Sequence, residues 1–162
     1  MEMEKKVPIL ILIITTIVLD QIVKYYIHLN MTVGESIPII NDILHITYVL
    51  NPGAAFGILE HKRIFFILIV FVMLAISYYA YKKVSGMNLF LKTGMGLLIG
   101  GAIGNLIDRI KTGYVVDFID FRIWPVFNIA DIAIVIGVGI IIYFMLFLTE
   151  NHTDVNKDEC NE

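Results

Sequence analysis

The sequence predicts an all-α membrane protein of four transmembrane helices, carrying a small extracytoplasmic β-hairpin or cradle and a flap. Three observations predict it. Of 162 residues, 58% are hydrophobic and 17% charged, against about 45–50% and about 25% in a soluble domain; mean hydropathy is +0.81. Four apolar runs recur along the chain, each near the roughly 17–25 residues that a bilayer-crossing helix needs. Those runs use about half the chain, so the connections are short. A soluble enzyme, a second folded domain and a large transporter are excluded. The net charge of −3 supplies no basic surface, so no nucleic-acid partner is expected.

The first run spans Val7 to about His28 and is interrupted by Asp20 and Lys24. Lys5 and Lys6 precede it, as in a secretory signal. No alanine occurs before Ala54 to make a small-x-small cleavage site, and the run ends in Asp20-Gln21, so it reads as an uncleaved span. Residues 31–50 alternate weakly, are rich in Ile, Val, Thr and Tyr, and contain Gly34, Pro38 and Asn41-Asp42. They predict a short hairpin at the membrane surface. The second run is Ile64–Tyr81 and the third Leu89–Ile107, where Gly96, Gly100 and Gly104 form a small-xxx-small row for close helix approach. The fourth is Ile129–Leu148.

Lys5, Lys6, Lys82, Lys83 and Lys92 predict that both termini and the connection between spans two and three are cytoplasmic. The larger connections, about 30–62 and 108–127, then lie outside. Residues 1–150 read as one membrane domain. Residues 151–162, with the lone Cys160, read as a polar, disordered cytoplasmic tail.

Polar residues inside an apolar span cost about 2.5–3.5 kcal/mol each at mid-helix on insertion scales, so they usually have a task. Asp20 and Lys24, at i and i+4, can neutralise each other, either as a structural ion pair or to order a site. A denser cluster follows: Asn105, Asp108, Arg109, Asp117, Asp120, Asn128 and Asp131. Asn105, Asp108 and Arg109 share one helix face at the outer end of span three. Asn128 and Asp131 form an Asn-x-x-Asp start to span four, which is also a capping arrangement. Asp117 lies in Val115-Val116-Asp117-Phe118-Ile119-Asp120, apolar where a free loop would be polar, and 14 positions before Asp131. If the connection folds back, the two carboxylates meet near lipid, share one proton, and raise one pKa. Such a pair can hydrolyse a peptide bond, with Asp131, at a helix N-terminus, as the ionised member. Other chemistries lack their residues. Ser77 and Ser85 have no partner base, the four histidines show no metal-ligand spacing, and no Gly-rich phosphate loop follows a strand. No metal or cofactor is expected.

Five motifs then occur in order: Asp20-Gln21-Ile22-Val23-Lys24; Asn51-Pro52-Gly53-Ala54-Ala55-Phe56-Gly57; Gly100 to Arg109; Val115 to Asp120; and Phe127-Asn128-Ile129-Ala130-Asp131. Together they resemble the bacterial lipoprotein signal peptidase (signal peptidase II) family, over about residues 5–148. The resemblance implies a four-helix aspartic protease of the bacterial inner, or cytoplasmic, membrane with its active site near the outer face. The implied substrate is a diacylglyceryl-modified prolipoprotein, cut just before the lipidated cysteine. The resemblance also implies that Asp117 and Asp131 are catalytic. It assigns supporting roles to Asp20, Lys24, Asn51, Gly53, Asn105, Asp108, Arg109, Asn128 and Ala130. Membrane lipid and globomycin-type inhibitors are the other implied partners.

The residues add reasons of their own. Asn105 and Arg109 carry donors suited to gripping substrate carbonyls. Asn51 opens a Gly- and Ala-rich segment suited to a mobile flap, while Pro52-Gly53 also fits an ordinary turn. Trp124 reads as an interfacial anchor. A competing function is a small proton-coupled transport or channel subunit, in which Asp20, Asp108, Asp117 and Asp131 form a relay. Relays distribute acids through the membrane depth, whereas these lie near one face.

Overall fold

A computed structural model describes residues 7–53, 62–83 and 89–147. The chain runs α1 (Val7–Asn30), β1 (Ser36–Ile40), β2 (Leu44–Asn51), α2 (Arg63–Lys83), α3 (Leu89–Lys111), β3 (Val115–Asp120) and α4 (Ile129–Phe147). Among the described residues, α1, α3 and α4 are long and apolar enough to cross a membrane, and α2 is also apolar. Lys5, Lys6, the 151–162 tail and most of the expected flap lie outside the described residues.

The helices turn hydrocarbon outward. Leu10, Ile14, Val18 and Ile22 on α1 and Ile64 and Leu68 on α2 are all exposed, whereas Asp20 and Asn128, both at 0% exposure, are the largest fully buried side chains. A water-soluble fold has the reverse arrangement. In lipid, helix association comes from close packing and polar contacts, and α3 provides both. It packs along α4 and α1 and more lightly against α2.

The predicted glycine row makes the α1–α3 seam. A methyl at Gly100 would sit 2.8 Å from Thr16 Cβ, and one at Gly104 would sit 2.8 Å from Asp20 Oδ2. A second seam was not read from the sequence. Gly94 and Gly101 of α3 face α4, where a methyl at Gly101 would strike the carbonyl of Ala130, and Gly137 of α4 approaches the backbone of Leu98.

The expected hairpin forms. β1 and β2 are antiparallel, joined by a turn with Asp42 at φ 60°, an αL position that Asp tolerates better than most residues. The expectation of a hairpin alone needs correction, because β3 adds to it and makes a three-stranded sheet in the order β1-β2-β3. Val115–Asp120 pairs antiparallel with β2, and it is covered on both faces: Val115, Asp117, Phe118 and Asp120 are buried and Val116 and Ile119 half-buried; Tyr48 and Phe118 pack against Ile27 of α1. Helix α3 also continues through Lys111, so Asp108 and Arg109 belong to its last turns and not to the connection.

Two glycines, one packed and one open, give a contrast. Gly101→Ala is expected to destabilise by about 1–3 kcal/mol through overpacking. Gly139→Ala, with nothing within 4 Å of its added methyl, is expected to be neutral or stabilising by up to about 1 kcal/mol. Thermal unfolding in detergent compares them.

Candidate active site

The site is built around a buried lysine. Lys24, 3% exposed, reaches Asp20 Oδ2 at 2.8 Å and Asp108 Oδ2 at 2.9 Å, and donates to Asn105 Oδ1 at 2.9 Å. One ammonium therefore ties α1 to α3. Asp20 extends the tie to α4 by accepting the backbone N–H of Ala130 through Oδ1 at 2.9 Å. Ala130 thus takes part through its main chain, and its side chain is small enough to leave Gly104 in close contact. Gln21, not singled out by the sequence reading, donates to Asp108 Oδ1 at 2.9 Å and to Gly104 O at 3.3 Å. The remaining Asp108 contact, a 3.2 Å bond from the backbone N–H of Val116, fixes the start of β3.

This cluster orients the two amides that reach the candidate acids. Asn105 Oδ1 accepts from both Lys24 and Asn128, the latter at 3.1 Å, so its Nδ2 must face away. It donates to Asp131 Oδ1 at 2.7 Å. Asn128 Oδ1 accepts the backbone N–H of Asp131 at 2.9 Å, and Asp131 Oδ2 accepts that of Asn128 at 3.1 Å. This is a reciprocal N-terminal cap on α4. With its oxygen so engaged, Asn128 turns Nδ2 to Asp117 Oδ1 at 2.6 Å. The capping and site readings of Asn128 are therefore one arrangement. Asn105, expected to grip substrate, has its amide engaged by Lys24, Asn128 and Asp131.

Asp117 is brought in by the strand that the sequence reading missed. Asn51 pairs with Val115 and Val49 with Asp117 across β2 and β3, so Asn51 and Asp117 are diagonal neighbours. Asn51 Nδ2 donates to Asp117 Oδ2 at 2.8 Å, and Asn51 Oδ1 accepts the N–H of Gly53 at 2.9 Å. Arg109 donates to the Gly53 carbonyl at 3.1 Å and stacks over Phe66, 4.8 Å from the ring centre. Arg63 at the start of α2 bonds the carbonyl of Ile110.

Asp117, Asp131, Asn105, Arg109, Asn51 and Gly53 border one cavity of about 360 Å³, which Trp124 also borders. Asp117 is 2% exposed. Burial, reinforced by the charge of Asp131, pushes its carboxyl up to about 7, against the opposing hydrogen bonds from Asn51 and Asn128. Among the described residues of the cluster, Asp20, Asp108, Asp117 and Asp131 face two cations, Lys24 and Arg109, so a proton on one acid relieves the excess of negative charge. An apolar gap of about 1120 Å³ between α2 and the α3–α4 pair adjoins the cavity, and Ile69 and Met73 border both.

Comparison with known proteins gives consistent matches. A family model described as signal peptidase (SPase) II matches residues 12–147. The chain is 51% identical to the lipoprotein signal peptidase of Halothermothrix orenii, over 83% of this chain and 92% of that protein. It is 42% identical to the lipoprotein signal peptidase of Staphylococcus aureus, over 90% and 91%. A bacterial membrane enzyme solved by the in meso method at 2.3 Å superposes with a TM-score of 0.84 at 41% identity, covering 89% of this chain and 90% of the other.

Replacing Lys24 by Met is expected to destabilise the fold by about 3–5 kcal/mol, because it strands the carboxylates of Asp20 and Asp108. Denaturant unfolding in mixed micelles measures this, and a loss below 1 kcal/mol (about five-fold in the folding equilibrium) would contradict the central role given to this ammonium.

Proposed function

The chain belongs to the signal peptidase II family, and on that premise we propose that this membrane peptidase cleaves prolipoproteins with an aspartic dyad, Asp117 and Asp131. The family assigns the removal of signal peptides from prolipoproteins. The observation that carries the finer reading is the pair of carboxylates on one cavity, each held by an amide of the Asn105–Asn128 pair, with the Asp117 proton retained up to about pH 7.

In the proposed cycle a water lies between the two acids. Ionised Asp131 takes one of its protons as the water oxygen attacks the scissile carbonyl carbon. Protonated Asp117 hydrogen-bonds the carbonyl oxygen as negative charge develops there. The tetrahedral intermediate then collapses, the C–N bond breaks, and a proton passes from the dyad to the leaving nitrogen. The products are a carboxyl terminus on the signal peptide and an amine on the lipidated cysteine. Apolar walls around the acids favour sharing of one proton, since two adjacent carboxylates away from water resist joint ionisation.

The remaining assignments belong to the same reading. Lys24, Asp20, Asp108, Asn105, Asn128 and the Ala130 backbone hold the dyad in place. Arg109 and Asn51 hold Gly53 at the edge of the cavity, at the end of the sheet that serves as its cradle. The gap bordered by Ile69 and Met73 admits the diacylglyceryl chains sideways from lipid. Residues 1–150 form one four-span domain of the bacterial inner or cytoplasmic membrane, with both termini cytoplasmic and the dyad near the outer face. Globomycin-type peptides inhibit by occupying the dyad.

Asp117→Asn and Asp131→Asn should each reduce processing of a lipidated prolipoprotein by about 10²–10⁴-fold while still inserting. Normal cutting by either variant would end the dyad assignment. Asp20→Asn should cost less than either. The alkaline limb of the pH–rate profile should fall as pH rises through about 7. The sign follows from a raised folded value, since the proton is present below it and lost above it, leaving two anions and no acid. The same linkage makes the contribution of Asp117 to folding more favourable below pH 4 than above pH 7. A rate that held level to pH 9 would remove Asp117 as the acid.

A further inference from the structure

Asp120 touches neither candidate acid and does not border their cavity, yet it is a buried carboxylate, 5% exposed, gathering bonds from two directions. Oδ1 accepts the backbone N–H of Arg122 at 2.8 Å. Oδ2 accepts the hydroxyl of Thr47 at 2.7 Å and Arg122 Nη1 at 3.1 Å. The Thr47 hydroxyl also meets Ser36 Oγ at 2.8 Å. Its single proton is given to Asp120, so Ser36 is the donor in that contact. All three strands thus converge on one carboxylate.

These bonds brace a backbone conformation that is costly for a residue with a Cβ. Arg122 sits at φ 66°, in the left-handed region where a residue with a Cβ is unfavourable unless its surroundings dictate it. The turn sends the chain outward and back, and Phe127 returns to pair with Ile119 at 2.8 and 3.1 Å. Phe121 and Phe127 stack, 5.9 Å between centres, at the base of the loop. The loop leaves Ile123 93% exposed and brings Trp124, Pro125 and Val126 to the cavity that Asp117 and Asp131 border.

We propose that Asp120 is a positioning residue: by clamping Arg122 in its left-handed turn, it sets the Trp124–Val126 wall and so the room for substrate side chains beside the scissile bond. The inference rests on the dyad reading for the reaction, but the clamp itself does not. The Thr47 and Arg122 bonds outweigh burial and keep Asp120 below the usual carboxylate range, so its influence is constant where the dyad titrates.

Trp124 is the single tryptophan of the chain, so its fluorescence reports this wall without any substrate. Wild type, Asp120→Asn and Asp120→Ala are compared in lipid nanodiscs. For Asp120→Ala the expected result is about two-fold greater acrylamide quenching and an about 5–10-fold higher KM for a lipidated prolipoprotein peptide, with kcat within about two-fold and an unshifted pH profile. Asp120→Asn, which keeps an acceptor for the Arg122 N–H, falls between. In a Trp124→Leu background, Asp120→Ala should add little to KM, because coupled positions are not additive. Unchanged quenching, a fall in kcat at constant KM, or additive KM effects would each overturn the proposal. If Asp120→Ala does not fold, Thr47→Val and Arg122→Ala remove single side-chain arms of the clamp and are read by the same criteria. A wild type that binds but never cleaves the peptide would defeat the dyad reading, and the clamp would then stand or fall on quenching.

Discussion

The buried Lys24 ammonium is the constraint on which the rest of this structure depends. Helices in lipid gain little from hydrophobic burial, and many aliphatic side chains among the described residues are exposed. What joins α1, α3 and α4 is a cation shared by Asp20, Asp108 and Asn105, completed by the Asp20 bond to the first turn of α4. A charge taken out of water is costly unless it is paired and fully hydrogen-bonded. The cluster therefore forms with its geometry nearly complete or not at all. Glycines at 100 and 104 are required because a larger residue would hold α1 and Asp20 too far from α3.

The same ammonium has consequences further along. It faces the oxygen of Asn105, which turns the Asn105 NH₂ to Asp131. Asn128 repeats the arrangement one step on and reaches Asp117. Amide flips are ordinarily ambiguous, but here each is dictated by its neighbour. A positive charge on α1 is thus expressed as donor bonds to two acids on β3 and α4, without an ion pair to either among the described residues. Burial still dominates at Asp117 and raises its carboxyl against those donor bonds.

Much of this was legible in the residues. Asp20 and Lys24 at one-turn spacing, the carboxylates on either side of the second outer connection, and the Asn-x-x-Asp start of α4 are local patterns, and helix periodicity converts them into shared faces. The glycine row on the α1 side was legible for the same reason. What escaped was set by pairing across long separations. Val115–Asp120 has the composition of a strand, yet only β2 at its side makes it one, and that pairing delivers Asn51 to Asp117. Gln21 gave no signal because its partners lie on another helix. Trp124 read as a surface anchor, and it borders the cavity as well because Arg122 reverses the chain just before it.

The reciprocal cap on α4 has a practical consequence for anyone redesigning this enzyme. Helix starts are usually a convenient place to add stability, since cap residues can be exchanged with little cost elsewhere. Here the cap is made by Asn128 and Asp131, and both also belong to the acid cluster. A thermostabilising programme would have to leave that turn untouched and work on the lipid-facing surface, because the two side chains that start the helix also bond to Asp117 and Asn105.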